Sequence, residues 1–128
     1  MENTNSNIRS AKNVLIVEDE KPMAKAMEIK LKKAGIDAHA VFSGEEGLAE
    51  LKTGHYSLVL LDIMMPGMDG WEVMTKIKEA GLKVKVIITS NLSQEEDKKK
   101  AKELGVVNFL VKSDSSLSSI AEEVKSYL

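Results

Sequence analysis

Few folds accommodate the alternation that runs through this sequence from Asn13 to Leu128, where five short apolar runs are each followed by a longer amphipathic segment. Four of the runs are nearly continuous in valine, isoleucine and leucine, which is typical of strands covered on both faces in a parallel sheet. The second run is interrupted by His39, as expected of an edge strand. The predicted strands are Val14–Val17, Ala38–Phe42, Leu58–Leu61, Val84–Ile88 and Val107–Val111. Strand–helix alternation predicts right-handed βαβ units, and therefore a three-layer α/β sandwich of five strands and five helices.

Helix starts are marked in most of the amphipathic segments. Pro22 stands where the first turn of a helix tolerates proline. Three later segments open with capping boxes, in which a Ser or Asp is followed three residues later by Glu. The pairs are Ser43 with Glu46, Asp69 with Glu72, and Ser93 with Glu96.

Length and composition predict one soluble domain and exclude several classes of function. The 128 residues carry 18 basic and 20 acidic side chains, a net charge of −2, so no global field favours nucleic acid or a membrane surface. The chain has no cysteine, which excludes disulfides and thiolate chemistry and fits a cytoplasmic protein. No apolar stretch approaches the ~20 residues of a membrane span. We expect residues 1–12 to form a flexible polar tail and residues 13–128 to form the folded domain.

Chemically active residue types follow four of the predicted strands. Glu18 and Asp19 follow the first strand, Asp62 the third, Thr89 the fourth and Lys112 the fifth. In an open parallel sheet, ligands bind beyond the carboxyl ends of the strands, where the strand order reverses. Carboxylates crowded at that edge repel one another unless a cation lies between them, and Mg²⁺ suits such oxygen ligands. The lysine and the hydroxyl would suit a phosphoryl group, whereas the acidic turn disfavours a nucleotide phosphate.

The segments at these strand ends resemble the response-regulator receiver family of two-component signalling. The resemblance spans residues 13 to 128 and is carried by four motifs, VLIVEDE from Val14, LLDIMMPGMDG from Leu60, IITS from Ile87, and FLVK from Phe109. It implies a doubly wound, flavodoxin- or CheY-like parallel sheet with strand order 2-1-3-4-5. It also implies a signalling domain and not a conventional enzyme.

The resemblance assigns Asp62 as the residue phosphorylated by a sensor histidine kinase or phosphotransfer protein. Asp19 and Asp62 would ligate Mg²⁺ (or Mn²⁺), with Glu18 assisting. The backbone carbonyl of Met64 would be a further ligand. Lys112 would pair with a phosphoryl oxygen.

The remaining implied residues form the switch. Thr89 would bond to the attached phosphoryl group, and the rotamer of Phe109 would follow Thr89. The downstream protein would bind the fourth helix, the fifth strand and the fifth helix, with no direct contact to nucleic acid or membrane. The fourth helical segment, Ser93 to Leu104, has only Ala101 and Leu104 as apolar anchors, so we expect it to be the mobile element.

The sequence departs from the family pattern after the lysine, where Ser113 replaces a proline that usually follows a cis peptide bond. The Lys112–Ser113 bond is therefore either trans or held cis at a cost of ~3 kcal/mol. This departure leaves open a degenerate receiver that binds partners without phosphorylation. A phosphatase of the haloacid dehalogenase type is disfavoured because Met64 stands where those enzymes have a second aspartate.

Overall fold

A computed structural model describes residues 13–92 and 94–128 of the chain. The five strands are β1 (Asn13–Val17), β2 (Asp37–Val41), β3 (Leu58–Asp62), β4 (Lys85–Ser90) and β5 (Asn108–Val111). The five α-helices are α1 (Lys21–Lys33), α2 (Gly44–Leu51), α3 (Gly70–Glu79), α4 (Glu95–Glu103) and α5 (Leu117–Ser126). A 3₁₀ turn at Lys112–Asp114 joins β5 to α5. None of these helices is both long and apolar enough to cross a membrane. The flexible tail predicted for residues 1–12 lies outside the described residues.

The sheet is fully parallel, with the strand order β2-β1-β3-β4-β5. This order confirms the predicted topology, including the edge position of β2, where His39 is exposed. Because β1 and β3 are neighbours although β2 lies between them in sequence, the strand order reverses at this pair. The carboxyl ends of β1 and β3 therefore meet at the switch point, where ligands bind in folds of this kind.

Two apolar layers hold the helices against the sheet. Alternate residues of β1 and β3 point to opposite faces, with Leu15 and Val59 in one layer and Ile16 and Leu60 in the other. The first layer packs under α2, α3 and α4, and the second packs under α1 and α5. Both central strands are buried on each face, which explains why their sequences are continuously apolar.

At two of the three predicted capping boxes, the side chain of the capping residue makes the predicted hydrogen bond. The Ser43 hydroxyl accepts a hydrogen bond from the Glu46 backbone N–H at 3.1 Å, and the Asp69 carboxylate accepts one from the Glu72 N–H at 2.9 Å. The predicted cap at Ser93 falls on a residue outside the described part of the chain. There the helix begins at Glu95, after Gln94, whose side chain makes no capping hydrogen bond.

Helix α4 is attached to the domain by few apolar side chains. Ala101 is its only buried residue, whereas α1 buries Ala24, Met27 and Leu31. A further contact joins α4 to α3, since the Lys100 ammonium lies 4.5 Å from the centroid of the Trp71 ring. Cation–π contacts at exposed sites contribute only about 0.5–1 kcal/mol. The helix therefore has little to stabilise it beyond its own hydrogen bonds.

We expect the backbone amides of α4 to exchange with solvent about ten- to a hundred-fold faster than those of α1, because local opening of α4 exposes little apolar surface. Hydrogen exchange of the unmodified chain followed by mass spectrometry or NMR would measure this, with α1 as the internal reference. Equal protection of the two helices would contradict the prediction that α4 is the mobile element.

Candidate functional site

Three carboxylates converge where β1 and β3 end. Val17 and Leu61 are partners in the parallel register, so the next residues, Glu18 and Asp62, lie side by side. Each of Glu18, Asp19 and Asp62 offers a carboxylate oxygen, and these atoms all lie within 4.8 Å of one another. Glu18 and Asp62 are each only 4% exposed, whereas Asp19 is half-exposed. The cluster thus faces solvent through Asp19 and the protein interior through the other two carboxylates.

Lys112 supplies positive charge to the two buried carboxylates. It is the first residue of the turn after β5, and its side chain is 12% exposed. The ammonium donates a hydrogen bond to Oε1 of Glu18 and lies 3.3 Å from Oδ1 of Asp62. The other Glu18 oxygen, Oε2, accepts a hydrogen bond from the Glu20 backbone N–H at 3.1 Å. One ammonium group therefore serves two carboxylates, which leaves the cluster with an excess of negative charge.

Burial, together with this excess negative charge, raises the pKa of Asp62. Burial and then the nearby Glu18 charge raise the pKa from 3.8 to about 7, although Lys112 acts in the opposite direction. For Lys112, burial alone would lower the pKa, but its hydrogen bonds and the charges of Glu18 and Asp62 raise it on balance. The lysine therefore stays charged, while the aspartate is partly protonated near neutral pH. A cation bound between the carboxylates would favour the ionised form of Asp62.

Thr89 adds a hydroxyl beside the acceptor carboxylate. It is the register partner of Asp62 on the neighbouring strand β4, and it is 6% exposed. Its hydroxyl makes no hydrogen bond to another described residue, and solvent reaches it, because no fully buried side-chain oxygen or nitrogen of the described residues lacks a partner. The next residue, Ser90, uses its hydroxyl to accept a hydrogen bond from the Leu92 N–H at 3.1 Å. Thr89 is therefore the hydroxyl at this edge that remains available to a bound group.

Gly70, at the start of α3, is required by the loop that follows Asp62. This requirement was not predicted from the sequence. A Cβ at Gly70 would lie 2.5 Å from the Asp62 backbone oxygen and 2.7 Å from the Ile63 Cα. The Gly70 N–H donates to the Ile63 carbonyl at 2.8 Å, which closes the loop against β3. Only glycine fits so near this backbone. The available sequence signal was a glycine at the first position of a helix, directly after the capping residue Asp69.

Met64 and Phe109 lie at the margins of this constellation. Met64, two residues after Asp62, has a side chain that is 61% exposed. Phe109 precedes Leu110, the register partner of Thr89, and packs with Trp71 and Leu104 against the layer under α2, α3 and α4. The structure thus brings together five of the predicted site residues, Glu18, Asp19, Asp62, Thr89 and Lys112. Phe109 lies on β5, one residue before the register partner of Thr89, and its side chain packs on the face of the sheet that α2, α3 and α4 cover.

The peptide bond between Lys112 and Ser113 is trans, because no cis peptide bond occurs among the described residues. Of the two alternatives left by the sequence, the unstrained one is therefore realised. Lys112 reaches Glu18 and Asp62 with this trans geometry.

Comparison with known proteins matches the chain to one family. The model of the response regulator receiver domain matches residues 14–124. A transcriptional regulatory protein, DltR of Streptococcus agalactiae, is 39% identical over 99 residues, which cover 77% of this chain and 44% of that protein. The chain thus spans less than half the length of this curated relative.

Solved structures agree with the family match. The receiver domain of the Francisella response regulator 1452 superimposes with a TM-score of 0.84 at 29% identity, covering 90% of this chain and 94% of that one. The response regulator TrrA of Thermotoga maritima, solved in complex with Mg²⁺ and BeF, gives a TM-score of 0.80 at 30% identity and covers 91% of this chain and 99% of that one.

Proposed function

Because the chain belongs to the response regulator receiver domain family, we propose that it is a switch in which Asp62 accepts a phosphoryl group from a partner histidine kinase or phosphotransfer protein. The proposal rests on the groups that surround the Asp62 carboxylate. A lysine ammonium lies 3.3 Å from its carboxylate, and Thr89, whose hydroxyl makes no hydrogen bond to another described residue, is its register partner on β4. Glu18 and Asp19 lie close enough to Asp62 for the three carboxylates to hold a metal ion together.

In the proposed reaction, a carboxylate oxygen of Asp62 forms a bond to phosphorus while the bond between phosphorus and the kinase's histidine nitrogen breaks. Asp62 must be ionised to act as the nucleophile. Lys112 already contacts Asp62, so it is placed to pair with a phosphoryl oxygen once the group is attached. The unpartnered hydroxyl of Thr89 would donate a hydrogen bond to the same group.

The donor set at this site fits Mg²⁺ or Mn²⁺. Both are hard cations that prefer carboxylate and carbonyl oxygens, and Glu18, Asp19 and Asp62 supply three such groups within one small cluster. The backbone carbonyl of Met64 would be the fourth ligand from the protein. When bound, the ion supplies positive charge that offsets the carboxylates and the incoming phosphoryl oxygens. TrrA, solved with Mg²⁺ and BeF, supports this assignment by similarity.

The output surface is proposed to lie on α4, β5 and α5. Strand β5 ends the sheet and its four residues are half-buried, and α4 is anchored by Ala101 alone. Movement of Thr89 toward the phosphoryl group would open space that Phe109 follows, and the partner protein would read the change at this edge. Direct contact with nucleic acid is not part of the proposal for this domain, although the relative DltR is named a transcriptional regulatory protein.

Phosphorylation of Asp62 can be tested by intact mass spectrometry after incubation with acetyl phosphate and Mg²⁺. We expect one added phosphoryl group on the unchanged chain and none on Asp62→Asn, because an amide oxygen cannot form the acyl phosphate. Asp69→Asn is the matched control. Asp69 is an aspartate on the same loop that caps α3, and asparagine caps about as well, so this variant should be phosphorylated normally.

A phosphoryl group that persists on Asp62→Asn would refute the assigned site. If the unchanged chain gains no phosphoryl group from acetyl phosphate, and if beryllofluoride with Mg²⁺ leaves the NMR signals of Thr89 and Lys112 unchanged, the phosphorylation switch is wrong. The degenerate, phosphorylation-independent receiver would then be the better reading.

A further inference from the structure

A cavity of about 100 Å³ lies beneath the strand ends, on the face of the sheet that is covered by α1 and α5. Its apolar floor includes Ile16, Leu60, Met27 and Ile120. Ile16 and Leu60 each lie two residues before a carboxylate of the rim, so the floor is roughly 7 Å below that rim. The cavity thus extends well into the protein from the site where the phosphoryl group would attach.

One side of the cavity is formed by the connection from β5 to α5, which contains no apolar residue. Residues 112–116 read Lys-Ser-Asp-Ser-Ser, and Ser113 and Asp114 are both exposed. The Ser115 hydroxyl donates a hydrogen bond to the Val111 carbonyl at 2.9 Å, so Ser115 contributes to the wall without filling the space. The connection therefore supplies no apolar side chain that could fill the space over Leu60 and Ile120.

The opening of the cavity lies between the first turns of α1 and α5. Its least buried apolar wall residues are Met23 and Leu117, which are both half-exposed, whereas the floor is fully buried. A methionine at an opening adapts its shape with little cost, because its unbranched side chain has several accessible rotamers. A small molecule can therefore enter without unfolding a helix.

The residues that line the cavity determine the polarity and charge of the ligand that it can bind. The floor offers dispersion contacts and no hydrogen-bonding group. A larger and entirely apolar cavity of about 150 Å³ is known to hold benzene in another protein, so this smaller cavity, which is open at one end, would take at most a single ring. At the polar end, Glu18 lines the cavity together with Lys112, and Asp62 lies directly beyond them. Because this end carries more negative than positive charge, an anionic ligand is disfavoured.

From this geometry we propose that the cavity is a binding site for a small, neutral, apolar ligand about the size of a single aromatic ring. The proposal is independent of phosphorylation, since it needs only the folded chain. Thr89 and Lys112 also line the cavity, so an occupant would contact two residues that the proposed function uses.

Binding can be measured by titrating benzene into protein labelled with ¹³C at the methionine methyl groups, without Mg²⁺ or a phosphodonor. We expect saturable shifts of the Met23 and Met27 methyl signals. The Met74 methyl, which is buried in the other apolar layer, should stay unchanged. Benzoate, which has the same ring with a negative charge, should cause no saturable shift.

Two cavity-filling variants and one control locate the site. Ala24→Val adds two methyl groups at the cavity wall and should weaken benzene binding by at least about tenfold, since it occupies the same space. Ser115→Val should have a similar effect from the opposite wall. Ala26→Val places the same side chain on the same helix at a residue that does not line the cavity, and it should bind benzene as the unchanged chain does.

The proposal is wrong if benzene produces no saturable shift of Met23 or Met27 up to its solubility limit. It is also wrong if the folded Ala24→Val and Ser115→Val variants bind benzene as tightly as the Ala26→Val control. Because every arm uses unphosphorylated protein, these outcomes leave the phosphorylation of Asp62 to its own test.

Discussion

At pH 8 and with EDTA present, Asp62→Asn should raise the free energy of unfolding by about 4 kcal/mol, because the pKa of Asp62 rises from 3.8 to about 7 on folding and each pKa unit corresponds to about 1.4 kcal/mol. Burial and the Glu18 charge raise the pKa of Asp62 from 3.8 to about 7, so the ionised side chain destabilises the fold at this pH. Asparagine has nearly the same shape and no charge. The pair between Lys112 and Glu18 remains in place, so no buried charge loses its partner.

The same variant should lose a pH dependence that the unchanged chain shows. A carboxyl group whose pKa is raised on folding binds a proton in the folded state between about pH 4 and pH 7, where the unfolded state does not. Its contribution to stability is therefore fully present below about pH 4 and is lost as the pH rises through about 7. Urea unfolding of the metal-free chain should show stability falling across this interval.

Asp69→Asn is the matched control for both measurements, because it removes one carboxylate from the exposed loop and leaves the buried cluster unchanged. It should keep the pH dependence of the unchanged chain. If Asp62→Asn proves no more stable than the unchanged chain at pH 8, Lys112 compensates the charge of Asp62 fully and the raised pKa is wrong.

The fold was predictable because its signals are local and mutually consistent. A run such as Leu58–Leu61 needs apolar cover on both faces, and the structure provides that cover. The polar residue His39 indicated that β2 is an edge strand, because a strand in the middle of a sheet covered on both faces would bury this side chain. Parallel pairing then places residues that follow different strands at one edge, which is why Asp62 and Thr89 could be grouped although 27 residues separate them in the sequence.

Features that depend on side-chain geometry were not predictable in the same way. The sequence placed Lys112 near the carboxylates, but its hydrogen bond to Glu18 joins residues 94 positions apart and depends on the path of the turn after β5. Glycine is required at position 70 because a Cβ there would lie 2.5 Å from the backbone oxygen of Asp62, and hydrophobic periodicity carries no information about this contact. The cavity is the space left between several helices and strands and the connection after β5. Its existence depends on how these parts pack together, which the sequence pattern does not show.

Mg²⁺ should stabilise the unchanged chain and should fail to stabilise Asp19→Asn. At a metal concentration one hundred times its dissociation constant, the gain for the unchanged chain is about 2.7 kcal/mol. Asp19 is half-exposed and makes no contact that the core needs, so Asp19→Asn should fold normally while losing one of the three carboxylates of the site. Urea unfolding with and without MgCl₂ at constant ionic strength would separate binding from charge screening.

The metal should also cancel the pH dependence that Asp62 imposes. A divalent cation favours the ionised carboxylate, so it lowers the pKa of Asp62 in the folded state and removes the proton uptake between about pH 4 and pH 7. With saturating Mg²⁺, stability should therefore no longer fall across this interval, whereas Asp19→Asn should keep the falling profile of the metal-free chain. Asp69→Asn should respond to Mg²⁺ as the unchanged chain does. A full response of Asp19→Asn to Mg²⁺ would show that the ion binds elsewhere, and the carboxylate cluster would then have to be explained by Lys112 alone.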